Sequence, residues 1–216
     1  MDEARGAEKR RRILEGLEKV LEDRPFAEIA VADIVAAAGM SKRAFYESYP
    51  HKAACLVDDV DTFHERFVAD LEVIVLEADD RLAGVRLGVE RFLEQVRDRP
   101  LLFRSHLVDV YALGPDGVRV RLDAKRRYVE VLQKLASLDD GTEQVELDPE
   151  AAMGLLGALD DAAVRVAFEE LDDASFERIV DSTVRLVRAV FVGLWVESHW
   201  GPIDLQRLAA GTVPSS

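Results

Sequence analysis

Apolar residues recur at intervals of three and four along most of this 216-residue chain, and no part of it reads as a strand. A chain patterned this way buries its apolar surface through helices rather than strands. Ile13, Leu14, Leu17, Val20 and Leu21 mark one face of a predicted helix from Ala7 to Glu22, which Pro25 stops. The stretch VADIVAAAG then reads as a short helix ended by Gly39, a residue at ease in the left-handed conformation of helix C-termini. Ser41 is a suitable N-cap for a third short helix, KRAFYESY, which Pro50 closes. Two short helices around a tight glycine-containing turn form a helix-turn-helix pattern.

From Lys52 the helices lengthen. Leu56, Val60, Phe63, Phe67, Leu71, Ile74 and Val75 trace a stripe over about five to six turns. Breaks near Asp79 and Asp80, at Pro100, at Gly114-Pro115 and across Asp139 to Pro149 delimit about five more helices. The last two run from about Asp148 to Glu169 and from Asp173 to His199. The expected fold is therefore all-α with about nine helices: a three-helix N-terminal helix-turn-helix domain over residues 1–51, and a larger helical domain for ligand binding and dimerisation over 52–216. The final GTVPSS reads as a loose tail.

Charge decides how this pattern is used. The formal net charge is -14, which on its face opposes binding to phosphate. Residues 1–54, however, hold ten basic and ten acidic side chains, so the whole excess of acid lies in residues 55–216. Arg5 and Lys9 to Arg12 cluster near the N-terminus, and Lys42, Arg43 and Lys52 form a second basic group; a solvated helix face explains the same charges equally well. No apolar run approaches the roughly 20 residues a membrane span needs, and no apolar leader opens the chain. With a single cysteine, Cys55, a cytoplasmic protein without disulfides is expected; that thiol is better read as a small buried side chain than as a redox sensor.

The segment RRILEGLEKVLEDRPFAEIAVADIVAAAGMSKRAFYESYPHKAACL, Arg11 to Leu56, closely resembles the N-terminal domain of TetR-family transcriptional regulators. The resemblance rests on the opening amphipathic helix, the Pro-Phe entry, the Asp-Ile pair, the Ala-Gly turn, the Ser-Lys cap, the Phe-Tyr pair, and then Pro50 and Lys52. It implies a homodimer that binds a palindromic operator in double-stranded DNA and is released by a small-molecule effector, with repression as the default. In such a module the second short helix enters the major groove. Arg43 suits guanine and Ala44 a thymine methyl, while Ser41, Lys42, Tyr46 and Lys52 suit phosphate. Arg10 and Arg11 of the basic arm add affinity. Tyr49 fits either DNA or the small core made by Ile13, Ile34, Ala38 and Phe45. Relative to the family, Ala30 and Ala44 stand where threonine is common and Ala32 and Ala37 where basic residues are frequent. Glu47 adds negative charge to the recognition helix, so phosphate contacts are thinned.

The resemblance also implies pairing through the last two helices. Gly154, Gly157, Ala158 and Ala162 would allow close approach, and Val184, Phe191 and Trp195 would supply apolar surface; packing within one protomer explains each of these residues nearly as well. Candidate effector contacts are Phe63, Phe67, Phe92, Phe103, His106, Tyr111 and Tyr128, around an apolar cavity with few polar groups. Two other readings compete. A helical interaction or ligand-binding dimer that has lost DNA binding would account for the acidic body and the alanine positions. An enzyme would have to use Asp61, His64 and Glu65 with His106 or His199, but no zinc-binding HExxH, phosphate-cradling glycine loop, GxSxG elbow or Cys/His pair accompanies them. No cofactor or metal is expected.

Overall fold

A computed structural model of the chain describes residues 2–137 and 146–200, apart from the side chains of residues 2, 3 and 198–200. Parts of the Asp139 to Pro149 break, the GTVPSS ending and the His199 side chain thus lie outside the described residues. Among the described residues there are nine α-helices and no strand. They are α1 (Asp2–Leu21), α2 (Val31–Ala38), α3 (Lys42–Tyr46), α4 (Lys52–Leu76), α5 (Arg81–Asp98), α6 (Pro100–Leu107), α7 (Pro115–Ala136), α8 (Pro149–Phe168) and α9 (Asp173–Trp200). Single 3-10 turns, Phe26–Glu28 and Asp109–Leu113, precede α2 and α7.

Local chemistry sets the helix boundaries. Gly39 ends α2 with φ 62°, and the Met40 amide donates back to the Val35 carbonyl at 2.8 Å, the bonding of a left-handed helix stop. Ser41 Oγ accepts from the Ala44 amide at 3.2 Å and starts α3. Asp80, Asp148 and Asp172 cap α5, α8 and α9 in the same way, at 2.8, 3.0 and 2.7 Å. Pro100, Pro115 and Pro149 open α6, α7 and α8, where a missing amide hydrogen costs nothing.

Three boundaries differ from the sequence reading. Helix α1 starts at Asp2 rather than Ala7, so Arg5 as well as Lys9 to Arg12 lies on it. Helix α3 ends at Tyr46, because Tyr49 is drawn into the core. Helix α4 covers 25 residues, about seven turns, one more than its apolar stripe indicated.

Helices α1 to α3 close over Ile13, Leu17, Leu21, Ile34 and Phe45, all fully buried. Gly16 lets α1 cross α2 closely: a Cβ there would fall 2.7 Å from the Ile34 carbonyl oxygen and 2.8 Å from the Ala38 Cβ. This core runs on without a gap through Cys55, Leu56 and Val60 of α4 into the body. There α4 packs along α7 and against α5, α6 and α7 meet α8, and α9 closes on α5 and α8.

A candidate DNA-binding surface and a buried polar cluster

Phe45 anchors α3, and its opposite side is open to solvent. Lys42 and Arg43 are exposed, the Arg43 side chain at 90%, Tyr46 is 56% exposed, and Ala44 sits half-buried between them. Arg43 Nε donates to Glu47 Oε1 at 3.2 Å, and Lys9 Nζ reaches Glu47 Oε2 at 3.0 Å. These two cations, Lys9 first, hold the Glu47 carboxyl below its ordinary range. The groove between α1 and α3 is lined by Arg5, Lys9, Arg12, Met40, Ala44 and Glu47. Arg12 Nη2 donates to the Ala38 and Gly39 carbonyls at 2.9 and 3.2 Å, fixing the helix-turn-helix turn.

Other expected DNA contacts have partners inside the protein. Lys52 Nζ donates to the carbonyls of Phe26, Ala27 and Ile29 at 2.9, 3.3 and 2.7 Å and lies over the Phe26 ring. Its ammonium has spent its three donors, so it caps the 3-10 turn rather than a phosphate. Tyr49 is core, 5% exposed, with its hydroxyl donated to Asp58. Burial, with the Asp58 carboxylate beside it, pushes that phenol well above its usual range. Asp58 also takes Arg10 Nη2 at 2.5 Å, and Arg11 pairs with Glu8 and Glu15 on its own helix. Arg10 and Arg11 therefore stay exposed but face carboxylates.

In the body, Phe63, Phe67, Phe92, Phe103, His106 and Tyr128 come together. Phe63 meets the rings of Phe103 and His106 edge-on at 5.6 and 5.2 Å, and Phe92 meets Phe103 and Tyr128 at 5.9 and 6.0 Å. Tyr111 does not join them and is 41% exposed in the second 3-10 turn. Within this aromatic shell lie two hydrogen-bonded polar pairs, of which Asp59 is the member that sequence reasoning missed. Asp59 Oδ2 and His106 Nε2 share a hydrogen bond of 2.8 Å, and His64 Nδ1 and the Tyr128 hydroxyl another of 2.8 Å. Asp59, His64 and His106 are at most 1% exposed. Burial raises the Asp59 carboxyl, with His106 acting against that rise. Burial, reinforced by Arg121, holds His64 well below 6.5, so its imidazole is neutral at neutral pH.

The periodicity carried a signal for Asp59: it lies three residues after Leu56 and four before Phe63, on the buried stripe. Asp61 leaves the cluster to bind Arg127 at 2.7 Å, and Glu65 is exposed, so the acid–histidine group weighed as an enzyme site is not assembled. Among the described residues, no three His, Cys, Asp or Glu side chains are placed to hold a metal ion, and no helix is long and apolar enough to cross a membrane. Cys55 is fully buried, and burial raises its thiol above the usual range.

Beside the cluster, an apolar cavity of about 60 Å³ runs between α4, α5, α7, α8 and α9, with Leu71, Val89, Phe92, Tyr128 and Leu156 among its walls. Phe92 and Tyr128 belong to both cavity and cluster. On α8, Gly154 and Gly157 are exposed, and a Cβ at either would meet nothing within 4 Å. Ala158 is half-buried, whereas Ala162, Val184 and Phe191 are buried inside the protomer, at 7%, 2% and 3% exposure. Among the described residues, the large apolar side chains that α8 and α9 leave exposed are Phe168, Leu186, Val192 and Trp195.

Residues 13–58 match the family model of bacterial regulatory proteins of the tetR family. The HTH-type transcriptional regulator EthR of Mycobacterium tuberculosis is 29% identical over 195 residues, 88% of this chain and 86% of that protein. EthR of Mycolicibacterium smegmatis is 27% identical over 157 residues, 72% and 68% of the two chains. Among solved structures, a TetR-family transcriptional regulator from Pectobacterium atrosepticum superposes with a TM-score of 0.66 at 26% identity, covering 88% of this chain and 96% of that one. FadR from Bacillus subtilis, solved with stearoyl-CoA, shares the fold at a TM-score of 0.67 and 14% identity, over 82% and 96% of the chains.

Proposed function

We propose that the chain is a TetR-family transcriptional regulator, a ligand-released repressor whose α3 reads a palindromic operator in the major groove. The observation that carries this is the Ser41-capped α3, anchored by buried Phe45 and presenting Lys42, Arg43 and Tyr46 to solvent. Arg43 provides the guanine-reading fork, and Lys42, Tyr46 and Ser41 supply phosphate contacts. Arg5 and Lys9, on the groove beside α3, extend the phosphate-binding surface. Residues 1–51 form the DNA-binding domain and 52–216 the dimerisation and effector domain.

Two copies pair through α8 and α9. A helix-interior glycine costs about 1 kcal/mol relative to alanine, and among the described residues nothing lies within 4 Å of a Cβ placed at Gly154 or Gly157. Close approach of a second α8 gives both a reason. Leu186, Val192 and Trp195 supply the apolar area. The effector enters between α4, α5 and α7, into the apolar cavity. Typical ligand sites hold about 300–1,000 Å³, so a bound molecule must part these helices, and it thereby favours a spacing of the two α3 helices that no longer fits DNA. FadR, of the same fold, was solved with an acyl-CoA, which agrees with an apolar effector body.

Selection from a random duplex pool tests the reading. An inverted repeat is expected, with affinity falling steeply with salt. Lys42→Glu with Arg43→Glu should abolish that binding while light scattering still reports a dimer. A folded dimer that selects no motif would overturn the proposal.

A further inference from the structure

We infer that the cluster of Asp59, His64, His106 and Tyr128 is the head-group site of the effector, and that it takes an uncharged group able both to donate and to accept a hydrogen bond, a hydroxyl or carboxamide. The inference rests on the effector reading above and specifies which ligand chemistry that site takes.

Three buried polar atoms of the cluster have no hydrogen-bond partner among the described residues: Asp59 Oδ1, His106 Nδ1 and His64 Nε2. They come from α4 and α6 and belong to one cluster, since the His64 and His106 rings are 5.5 Å apart and His106 is bonded to Asp59. Buried polar groups are satisfied almost without exception in folded proteins, so three together mark a place where another molecule binds. Tyr128 joins that place to the cavity: its ring lines the apolar wall and its hydroxyl faces His64. A ligand whose body fills the cavity therefore meets the cluster at its end.

Charge selects the kind of head group. The cations packed around the cluster are matched by carboxylates. Arg121 and Lys125 bind Asp160, Arg127 binds Asp61, and Arg66 and Arg99 bind Glu18, with Glu22 near Arg99. With His64 neutral and Asp59 shared with His106, three anions (Asp59, Asp61, Asp160) face three cations (Arg121, Lys125, Arg127). Bringing in a carboxylate or an ammonium would leave one buried charge unmatched.

The hydrogen-bonding pattern narrows it further. If His106 Nε2–H donates to Asp59, the free His106 Nδ1 and Asp59 Oδ1 both accept. His64 offers the complement: when the Tyr128 hydroxyl donates to His64 Nδ1, the free Nε2 carries the ring proton and donates. A hydroxyl or carboxamide answers both kinds of atom; an ester or ketone, which cannot donate, leaves Nδ1 and Oδ1 unmet.

Three probes with the same eight-carbon body separate these cases: 1-octanol, octanoate and octylammonium, titrated calorimetrically into the full-length dimer while the imidazole nitrogen resonances of His64 and His106 are followed by NMR. We expect 1-octanol to bind at least tenfold tighter than either ion and to shift both imidazoles, and Asp59→Asn to weaken it at least fivefold. If Asp59→Asn does not fold, the titration of the unmodified protein decides. Equal or tighter binding of an ionic probe would overturn the head-group class. Binding of 1-octanol without movement of the imidazole resonances, or binding of no probe, would overturn the site. Duplex binding measured on the same samples separates these failures from failure of the DNA-binding reading.

Discussion

Replacing Gly16 by alanine tests how the recognition helix is held. Alanine is the better helix former, and in an open helix interior the change stabilises by about 1 kcal/mol. At Gly16 the added Cβ would sit 2.7 Å from Ile34 O, 2.8 Å from Ala38 Cβ and 2.9 Å from Ala38 N. Two of these atoms are backbone, so relief requires moving α2 as a body. Overpacking of this kind costs about 1–3 kcal/mol, and the backbone contacts place it in the upper part of that range, for a net loss of about 1–2 kcal/mol. In a chain of this size that lowers the melting temperature by about 2–8 °C. Helix α2 carries the Gly39 turn and through it α3, so operator affinity should fall even at temperatures where the variant is fully folded. Circular dichroism melts and duplex titrations at 20 °C measure the two effects. A Gly16→Ala protein that melts at or above the parent temperature would refute the packing argument; normal melting loss with unchanged affinity would refute the link to α3.

Two further predictions rest on single side chains. Glu47→Gln releases Lys9 and Arg43 from the carboxylate they share, so duplex affinity should rise several-fold and log affinity should fall more steeply with log salt, by about 0.9 for each additional phosphate neutralised; weaker binding would show instead that Glu47 reads a base. His64 is held neutral by burial, whereas in the unfolded chain it takes a proton near pH 6.5. The unfolded state therefore binds the extra proton, and stability present above pH 6.5 is lost as pH falls below it, by up to about 1.4 kcal/mol per pH unit. Denaturant titrations between pH 7.5 and 5 should show that slope and its reduction in His64→Gln; an equal slope in both proteins would contradict it.

The order of the helices and the stops between them were legible because each rests on local chemistry: the spacing of Ile13, Leu14, Leu17 and Leu21, the glycine at 39, the hydroxyl at 41, the prolines at 100, 115 and 149. What local pattern could not show is which partner a polar side chain finds across the fold. Lys52 and Tyr49 have the side chains of DNA contacts and sit beside α3, yet Lys52 is taken by three carbonyls of the segment before α2 and Tyr49 by Asp58. Asp59 and His64 lie among charged neighbours in the sequence, Asp58, Asp61, Glu65 and Arg66, so a carboxylate or imidazole there reads as solvent-facing until its partners on α6 and α7 are known. For α8 and α9 the limit is of another kind. Small and apolar residues serve a protomer core and a dimer seam equally, and only their exposure separates Gly154 and Gly157 from Ala162, Val184 and Phe191.

Helix α4 carries a consequence of its length. Its 25 residues make a rigid rod of about 38 Å, with the polar cluster near one third of the way along and the helix-turn-helix fixed at its Lys52 end. Pivoting such a rod by about 3° about its far end sweeps the near end through about 2 Å. Two-fold symmetry doubles this, and a mismatch of about 4 Å against a groove repeat of about 34–36 Å spoils the register of every base contact together. Under the proposed function the protein would act as a caliper: a ligand need break no bond to DNA if it sets the jaws to the wrong gauge.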